Sequence, residues 1–474
     1  MSIRLQSDWN KGNSFWVQCS KLNGTQTIYS ELKLNENQEY QDLKGIFTTE
    51  KIGNKKNLLK IKCKESKYES ETTFQGAIKE YGKVHGTEPK KQAILSIDIS
   101  PQSQLTVSGS TNGSLKVFET ETGEIRRDLV GHIMGVSVAK FFPSGQVVLS
   151  GGEDFRLRIW DISDGECEAV FVGHKSRVNA AAFIERGRNI LSTSNDGSSR
   201  LWNSGTEQQI ALFSRNNFFN QNSPFANFDV RNFDCCVSHL DAQKYPSLFR
   251  YNSNLVLDQN EFGTDGKILF VSSNKGNVDV FDVRNKKEIW NLMLTSEDFK
   301  NQNQNLEKLE MDCVNYDMNC VNFLPDSFTV VSGCENKLVQ WDLRTGRILS
   351  IDYVGSLGNL QSIKPVIFSN PNLKEKEKGN EKEKEKEKEN ENEKNCQNNS
   401  QNSQNGENIQ NNQTGLWISS SDGECFLWDL VNKKRIFSLS GADYDSINSF
   451  AFNQNKIVTG SKDGFIRIYN TKLF

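Results

Sequence analysis

The chain has 474 residues, 35% of them hydrophobic, with 29 Phe and 8 Trp, enough for several domains or one large repeat domain with a sizeable core. Its formal net charge is -3, so no strong overall field draws it to nucleic acid or to an anionic membrane. No window approaches the ~18 unbroken apolar residues of a membrane-spanning helix, and the opening "MSIRLQSDWNKGNSF" lacks the roughly 7–15-residue apolar stretch of a secretory leader. The ten cysteines follow no regular framework and read as reduced thiols.

Residues 1–70 fit no period. They hold Trp9, Phe15, Trp16 and runs such as "QTIYSELKL" and "NLLKIKCK", and read as a small, mostly β N-terminal domain. Residues 71–474 repeat themselves. Ser108, Asn112 and Phe118 are followed 42 residues on by Ser150, Asp154 and Trp160, and those 42 further on by Ser192, Asp196 and Trp202. His132 and His174 keep the same spacing. Later copies drift but still end on an aromatic, at Phe281, Trp341, Trp428 and Tyr469.

Each unit reads as four short strands: an alternating apolar one ("VNAAAF"), a "VVLSG" type, an "LRIWD" type and a shorter outer one ("EAVFVG"). Turns carry Asp-Gly or Thr-Gly, where Gly tolerates the positive φ of a tight hairpin. A period near 42 with Gly-His at the start and Trp-Asp near the end is the WD40 signature of a β-propeller. We therefore expect an all-β fold, a seven-bladed WD40 β-propeller with a small N-terminal domain. The chain stops soon after Tyr469, so the seventh unit lacks its outer strand. "GAIKEYGKVHG" (76–86) is expected to supply it, leaving no open sheet edge.

Three stretches interrupt the period. Residues 208–266 hold a fourth first strand that the pattern does not place, and 295–316 are a polar loop. Residues 371–414 alternate Lys and Glu and then run into Asn and Gln, inside the sixth unit between its first and second strands. With no apolar face, this insert is expected to be disordered and solvated.

Ser150, His132 and Asp154 are the parts of a hydrolytic triad. A triad should occur once, at one exposed place. Here the set recurs as Ser192, His174 and Asp196, with Trp160 and Trp202 added at equal offsets. Repetition favours a structural hydrogen-bond chain, as WD40 propellers carry, running from Trp through Ser and His to Asp. No catalytic residue is therefore expected. Cys235, Cys236 and His239 are the nearest approach to a metal set. Adjacent cysteines rarely face one ion and no CxxC accompanies them, so no metal and no other cofactor is expected. "GxxxxGK[ST]", the phosphate-cradling loop, does not occur.

"RLQSDW" (4–9), "FFPSGQVVLSGGEDFRLRIW" (141–160), "GHKSRVNAAAFIERGRNILSTSNDGSSRLWN" (173–203) and "LSGADYD" (439–445) resemble the proteasomal ATPase-associated factor family. The likeness covers the N-terminal domain and the ring and is weakest at 208–266, 295–316 and the charged insert. It implies a non-enzymatic chaperone of proteasome regulatory-particle assembly. Such a chaperone holds the C-terminal domain of an ATPase-ring subunit and delays docking of the ATPase base on the proteolytic core. It would be a monomer before complex formation, in the cytoplasm and also the nucleus. Partners of WD40 rings usually meet the face built by the loops entering each unit and the turns between its second and third strands. On that face we expect contacts from Met134, Glu153, Phe155, Arg177, Asn195, Asp445 and Lys462, a minority of them carrying the energy. The rival reading, a substrate receptor of a cullin-type ubiquitin ligase, rests on "WDLR" (341–344), where only Arg344 adds to what the repeat explains.

Overall fold

The computed structural model describes residues between 2 and 470, except 215–234, 241–266, 295–317, 370–411 and shorter stretches, the longest of them 21–26 and 52–57. Every regular element among the described residues is a strand. Strands Ile94–Ile99, Leu105–Ser110, Leu115–Glu119 and Ile125–Asp128 form a first repeat sheet in antiparallel order. Sheets of the same plan follow along the chain, opening at Val136–Phe141, Val178–Ile184, Cys235–Leu240, Met318–Phe323, Leu360–Ser369 and Ile447–Asn453. We number them one to seven.

The second strands are the most buried. In sheet three Asn189–Ser194 is buried throughout, while in the outer strand of sheet two, Cys167–Val172, only Ala169 and Phe171 are buried. Middle strands are covered on both faces by neighbouring sheets, so they carry continuous apolar runs instead of strict alternation. The third-strand aromatics explain the covering. Trp160 packs with Val107, Leu115 and Val117 of sheet one, and Trp202 with Val138, Leu149 and Leu157 of sheet two. Trp341 reaches Val278 and Val280 of sheet four, and Trp428 reaches Val331 and Leu338 of sheet five. Phe118 of sheet one lies with Ala451, Val458 and Ile466 of sheet seven. Each aromatic is thus a wedge between its own sheet and the one before it. The architecture is that of a β-propeller.

Polar side chains staple the inner strands together. Ser96 Oγ donates to Val136 O (2.8 Å), Asn322 Nδ2 to Ile363 O (3.2 Å) and Asn448 Nδ2 to Ile94 O (2.8 Å). Phe141 N donates to Asp98 Oδ2 at 2.9 Å. The inner strands line a cavity of about 490 Å³, with Asp98, Lys140, Asn179, Asn322, Gln361 and Lys364 among its walls.

Strand Lys79–Tyr81, inside the 76–86 stretch, pairs antiparallel with Ile466–Asn470 as the fourth strand of sheet seven. In sheet four the inner strand is Cys235–Leu240, whose Cα partners run from Cys235↔Ser272 to Leu240↔Lys267. That is the strand the sequence pattern could not place. The charged insert, 371–414, lies outside the described residues up to Asn412, where the second strand of sheet six begins.

The N-terminal region is joined to the ring by more than packing. Strands Ser2–Leu5, Ser14–Ser20, Thr27–Leu34 and Tyr40–Asp42 form one sheet. Strands Phe47–Lys51, Leu58–Glu65 and Tyr68–Gly76 extend sheet six into seven strands, because Tyr68–Gly76 pairs in parallel with its outer strand Lys434–Ser440. The two layers enclose a core of Ile3, Trp9, Phe15, Val17, Leu32, Leu59, Ile61 and Phe74. The strand Tyr68–Gly76 therefore runs through residue 70, where the period alone set the limit of the N-terminal domain. Buried charges add a second tie. Arg4 pairs with Asp422 and Glu424, Arg435 Nη1 with Glu424 (3.0 Å), and Trp9 Nε1 donates to Ser440 Oγ (2.8 Å).

Candidate functional site

Two questions define the site: what the repeated His, Ser and Asp do, and which surface is free to meet a partner. In sheet two, Trp160 Nε1 donates to Ser150 Oγ at 2.7 Å, and His132 Nε2 lies 2.7 Å from the same oxygen. His132 Nδ1 lies 3.0 Å from Asp154 Oδ2. Sheet three repeats the set, with Trp202 Nε1 to Ser192 Oγ at 2.8 Å, His174 Nε2 to Ser192 at 2.7 Å and His174 Nδ1 to Asp196 Oδ2 at 3.0 Å. Both serines are fully buried. With the indole donating to its oxygen, each serine gives its own proton to Nε2, which leaves Nδ1–H for the carboxylate. The chain links the second strand, the third strand and the entering loop.

Burial by itself raises the Asp154 carboxyl, but the bonds from His132 and Arg158 outweigh it and bring it down to about 2. Asp196 is held down in the same way by His174, Ser198 and Lys175 N against the rise from burial. The arginine had escaped the sequence reading. Arg158 Nη1 donates to Asp154 Oδ2 at 2.6 Å, and Arg467 Nη2 to Asp463 Oδ2 at 2.6 Å in sheet seven. Arg158, Arg200 and Arg467 each follow the turn Asp by four residues, a spacing that was there to be read.

A second member was missed in sheet one. His85 Nε2 lies 2.7 Å from Ser108 Oγ, and His85 Nδ1 lies 2.8 Å from Ser114 Oγ. Its distance from Ser108 in sequence is 23, against 18 for His132 and Ser150. Sheet five keeps only a Trp–Ser bond among its described residues, Trp341 Nε1 to Ser332 Oγ at 2.8 Å. In sheet six Trp428 Nε1 is buried without a hydrogen-bond partner. Ile418 stands opposite Phe426 there, as Ser150 stands opposite Arg158.

The predicted contact residues gather at one end of the sheets. Backbone bonds tie each turn to the loop beside it: Glu153 N to Gly135 O (2.8 Å), Asn195 N to Arg177 O (3.0 Å) and Lys462 N to Ser446 O (2.8 Å). Met134, Glu153 and Phe155 thus sit around sheet two, Arg177 and Asn195 around sheet three, and Asp445 and Lys462 around sheet seven. Arg177 Nη1 bridges to Glu153 Oε1 at 3.3 Å, and Asn179 Nδ2 donates to Asn195 Oδ1 at 2.6 Å. Met134, Phe155 and Lys462 are exposed. Arg344, the residue on which the ligase-receptor reading rests, is held by its own neighbour. It makes two 2.9 Å bonds to the Asp342 carboxylate, with its guanidinium 3.9 Å from the Phe328 ring centroid. The side chains of Cys235, Cys236 and His239 lie outside the described residues.

The WD domain, G-beta repeat (WD40) family matches residues 82–119, 123–161, 165–203 and 433–470, the units that begin or end at sheets one, two, three and seven. Fold and repeats together define a WD40 β-propeller. Over 483 aligned residues the chain is 33% identical to the proteasomal ATPase-associated factor 1 of Dictyostelium discoideum, covering 99% of this chain and 96% of that protein. The proteasomal ATPase-associated factor 1 proteins of Homo sapiens and Gallus gallus are each 30% identical over 151 residues, 30% of this chain and 36% of theirs. The chain belongs to the proteasomal ATPase-associated factor 1 family.

Proposed function

We propose that the protein is a non-enzymatic assembly chaperone that binds the C-terminal domain of a proteasomal ATPase-ring subunit. In that role it regulates assembly of the regulatory-particle base and its docking on the proteolytic core. The observation that carries the reading is the similarity, over nearly all of both chains, to a protein named for its association with the proteasomal ATPases. A seven-bladed closed ring would present the loop-and-turn face as the docking surface, with the seven sheets as blades and the Lys79–Tyr81 strand as the closing element. The Ser150 set supports a structural role over a catalytic one. Its hydroxyl is buried and already engaged on both sides, so a substrate carbonyl has no approach to it. No phosphate-cradling loop is present in the sequence, so nucleotide would belong to the partner. The protein would act as a monomer before complex formation, in the cytoplasm and the nucleus.

The test is affinity purification from cells with mass spectrometry. Recovery of free regulatory-particle base subunits without the assembled proteolytic core is expected. Their absence from the purified material removes the proposal.

A further inference from the structure

The turn between the second and third strands needs one residue with positive φ. Glycine fills it at Gly113 (φ 86°), Gly197 (76°), Gly423 (84°) and Gly464 (80°). In sheet five a polar residue, Glu335, takes it at φ 49°, and in sheet two the residue is Phe155, at φ 66°. A bulky aromatic in the left-handed region is strained, and here the residue is left 43% exposed. Neither local propensity nor burial explains the choice. The neighbours deepen the anomaly. Ile133 is 82% exposed and Val130 81%, and Met134 and Val172 are exposed as well. Among the described residues twelve large apolar side chains are exposed, and these five belong to sheet two and its entering and leaving loops. Several independent links hold them around one turn. Glu153 N bonds to Gly135 O, His132 to Asp154, and Val172 is the strand partner of Arg156, next to Phe155. Clustered exposed apolar groups of this kind mark interaction surfaces, and aromatic anchors tend to carry their energy.

We propose that this apolar patch of sheet two, with Phe155 as its anchor, is the contact site for an ATPase-ring subunit, and that it receives an apolar segment flanked by carboxylates. The partner class rests on the function proposed above. The acidic flank follows from the rim. Arg156 and Lys175 are exposed beside the patch and have no ion-pair partner among the described residues, whereas Arg177 is paired with Glu153. The clasp beneath holds the turn rigid, so the ring is presented without ordering a loop on binding.

The test is fluorescence anisotropy of the full chain with labelled, purified proteasomal ATPase-ring subunits of the same organism. Phe155→Gly removes the ring and suits the positive φ, so its thermal midpoint should stay the same or rise while affinity falls about tenfold or more. Ile133→Ser should also weaken binding, and Leu349→Ser, an exposed apolar residue of sheet five, should not. The pair Arg156→Glu with Lys175→Glu should weaken binding and flatten its salt dependence. If the unaltered chain binds a subunit and Phe155→Gly and Ile133→Ser bind it equally well, the site is wrong and the partner stands. If the unaltered chain binds none of the subunits, partner and site both fall.

Discussion

Sheets two and one solve the same problem with different residues. In sheet two the buried His132 sits between a serine and a carboxylate, and Arg158 bonds the same carboxylate oxygen, its Nη1 lying 2.9 Å from His132 Nδ1. In sheet one His85 sits between two serine hydroxyls; Asn112 stands where Asp154 stands, Lys116 where Arg158 stands, and Phe118 where Trp160 stands. Both fill the same space and both bond the second-strand serine. Only sheet two makes the imidazole part of an electrostatic relay. The comparison separates what packing requires, an aromatic wedge and a histidine over the second strand, from what charge adds.

The largest difference should come from the carboxylate. Asp154→Ala strands a buried Arg158 guanidinium and leaves His132 Nδ1 without its acceptor, and should cost about 3–5 kcal/mol. Asn112→Ala, at the matching place in sheet one, removes only turn bonds to Ser110 and Ser114 and should cost about 1 kcal/mol. Urea unfolding of the two variants measures the gap, and equal losses would mean that the relay adds nothing.

The serines come next. Ser150→Ala and Ser192→Ala each leave a buried indole N–H and an imidazole nitrogen unpaired, at about 1–3 kcal/mol, and should match one another. Ser108→Ala should fall at the low end, since Phe118 has no N–H to strand. A catalytic Ser150 would instead give a normally stable variant without activity, and Ser192 would not resemble it.

The half of this site that was legible in sequence was the half that repeats at a fixed interval. Trp160, Ser150, His132 and Asp154 could be aligned with Trp202, Ser192, His174 and Asp196 because no residue is inserted between them. His85 was hidden because its separation from Ser108 is 23 residues and not the 18 of His132 and Ser150, although its ring takes the same place over the serine. The inner strand Cys235–Leu240 was hidden for a similar reason: long interruptions on either side remove the offsets that reveal its neighbours. The parallel pairing of Tyr68–Gly76 with Lys434–Ser440 could not be read at all. It joins segments more than 350 residues apart, and nothing in local alternation specifies a partner strand. Phe155 was readable as an exposed turn residue, but its strain was not, because the sequence does not give φ.

Acid should separate the sheets as well. Burial and the nearby Lys116 push His85 down to about 3 from an ordinary 6.5, so the folded protein keeps it neutral. Its contribution is therefore fully present above pH 6.5 and is lost progressively as pH falls from there toward 3. Asp154, lowered to about 2 from 3.8, keeps its contribution until pH falls below 3.8 and loses it toward 2. Acid denaturation followed by tryptophan fluorescence should thus begin in the histidine window. Asn112→Asp supplies sheet one with the missing carboxylate, raises the His85 pKa and should move the onset to lower pH. An onset unchanged by Asn112→Asp would show that His85 does not govern it.

The smallest effect lies in sheet six, where the wedge has no serine to meet it. Ile418 occupies the position that Ser150 holds in sheet two, and Trp428 Nε1 is buried unpaired above it. Ile418→Thr keeps the β-branched shape and offers a hydroxyl. The lost apolar burial, about 1 kcal/mol, and the new bond to the indole, about 1 kcal/mol, should nearly cancel. The informative quantity is the coupling. With Trp428→Phe in place the hydroxyl has no N–H to accept, so Ile418→Thr should then cost about 1 kcal/mol more than it does beside Trp428. A double-mutant cycle with no coupling would place the threonine hydroxyl away from the indole.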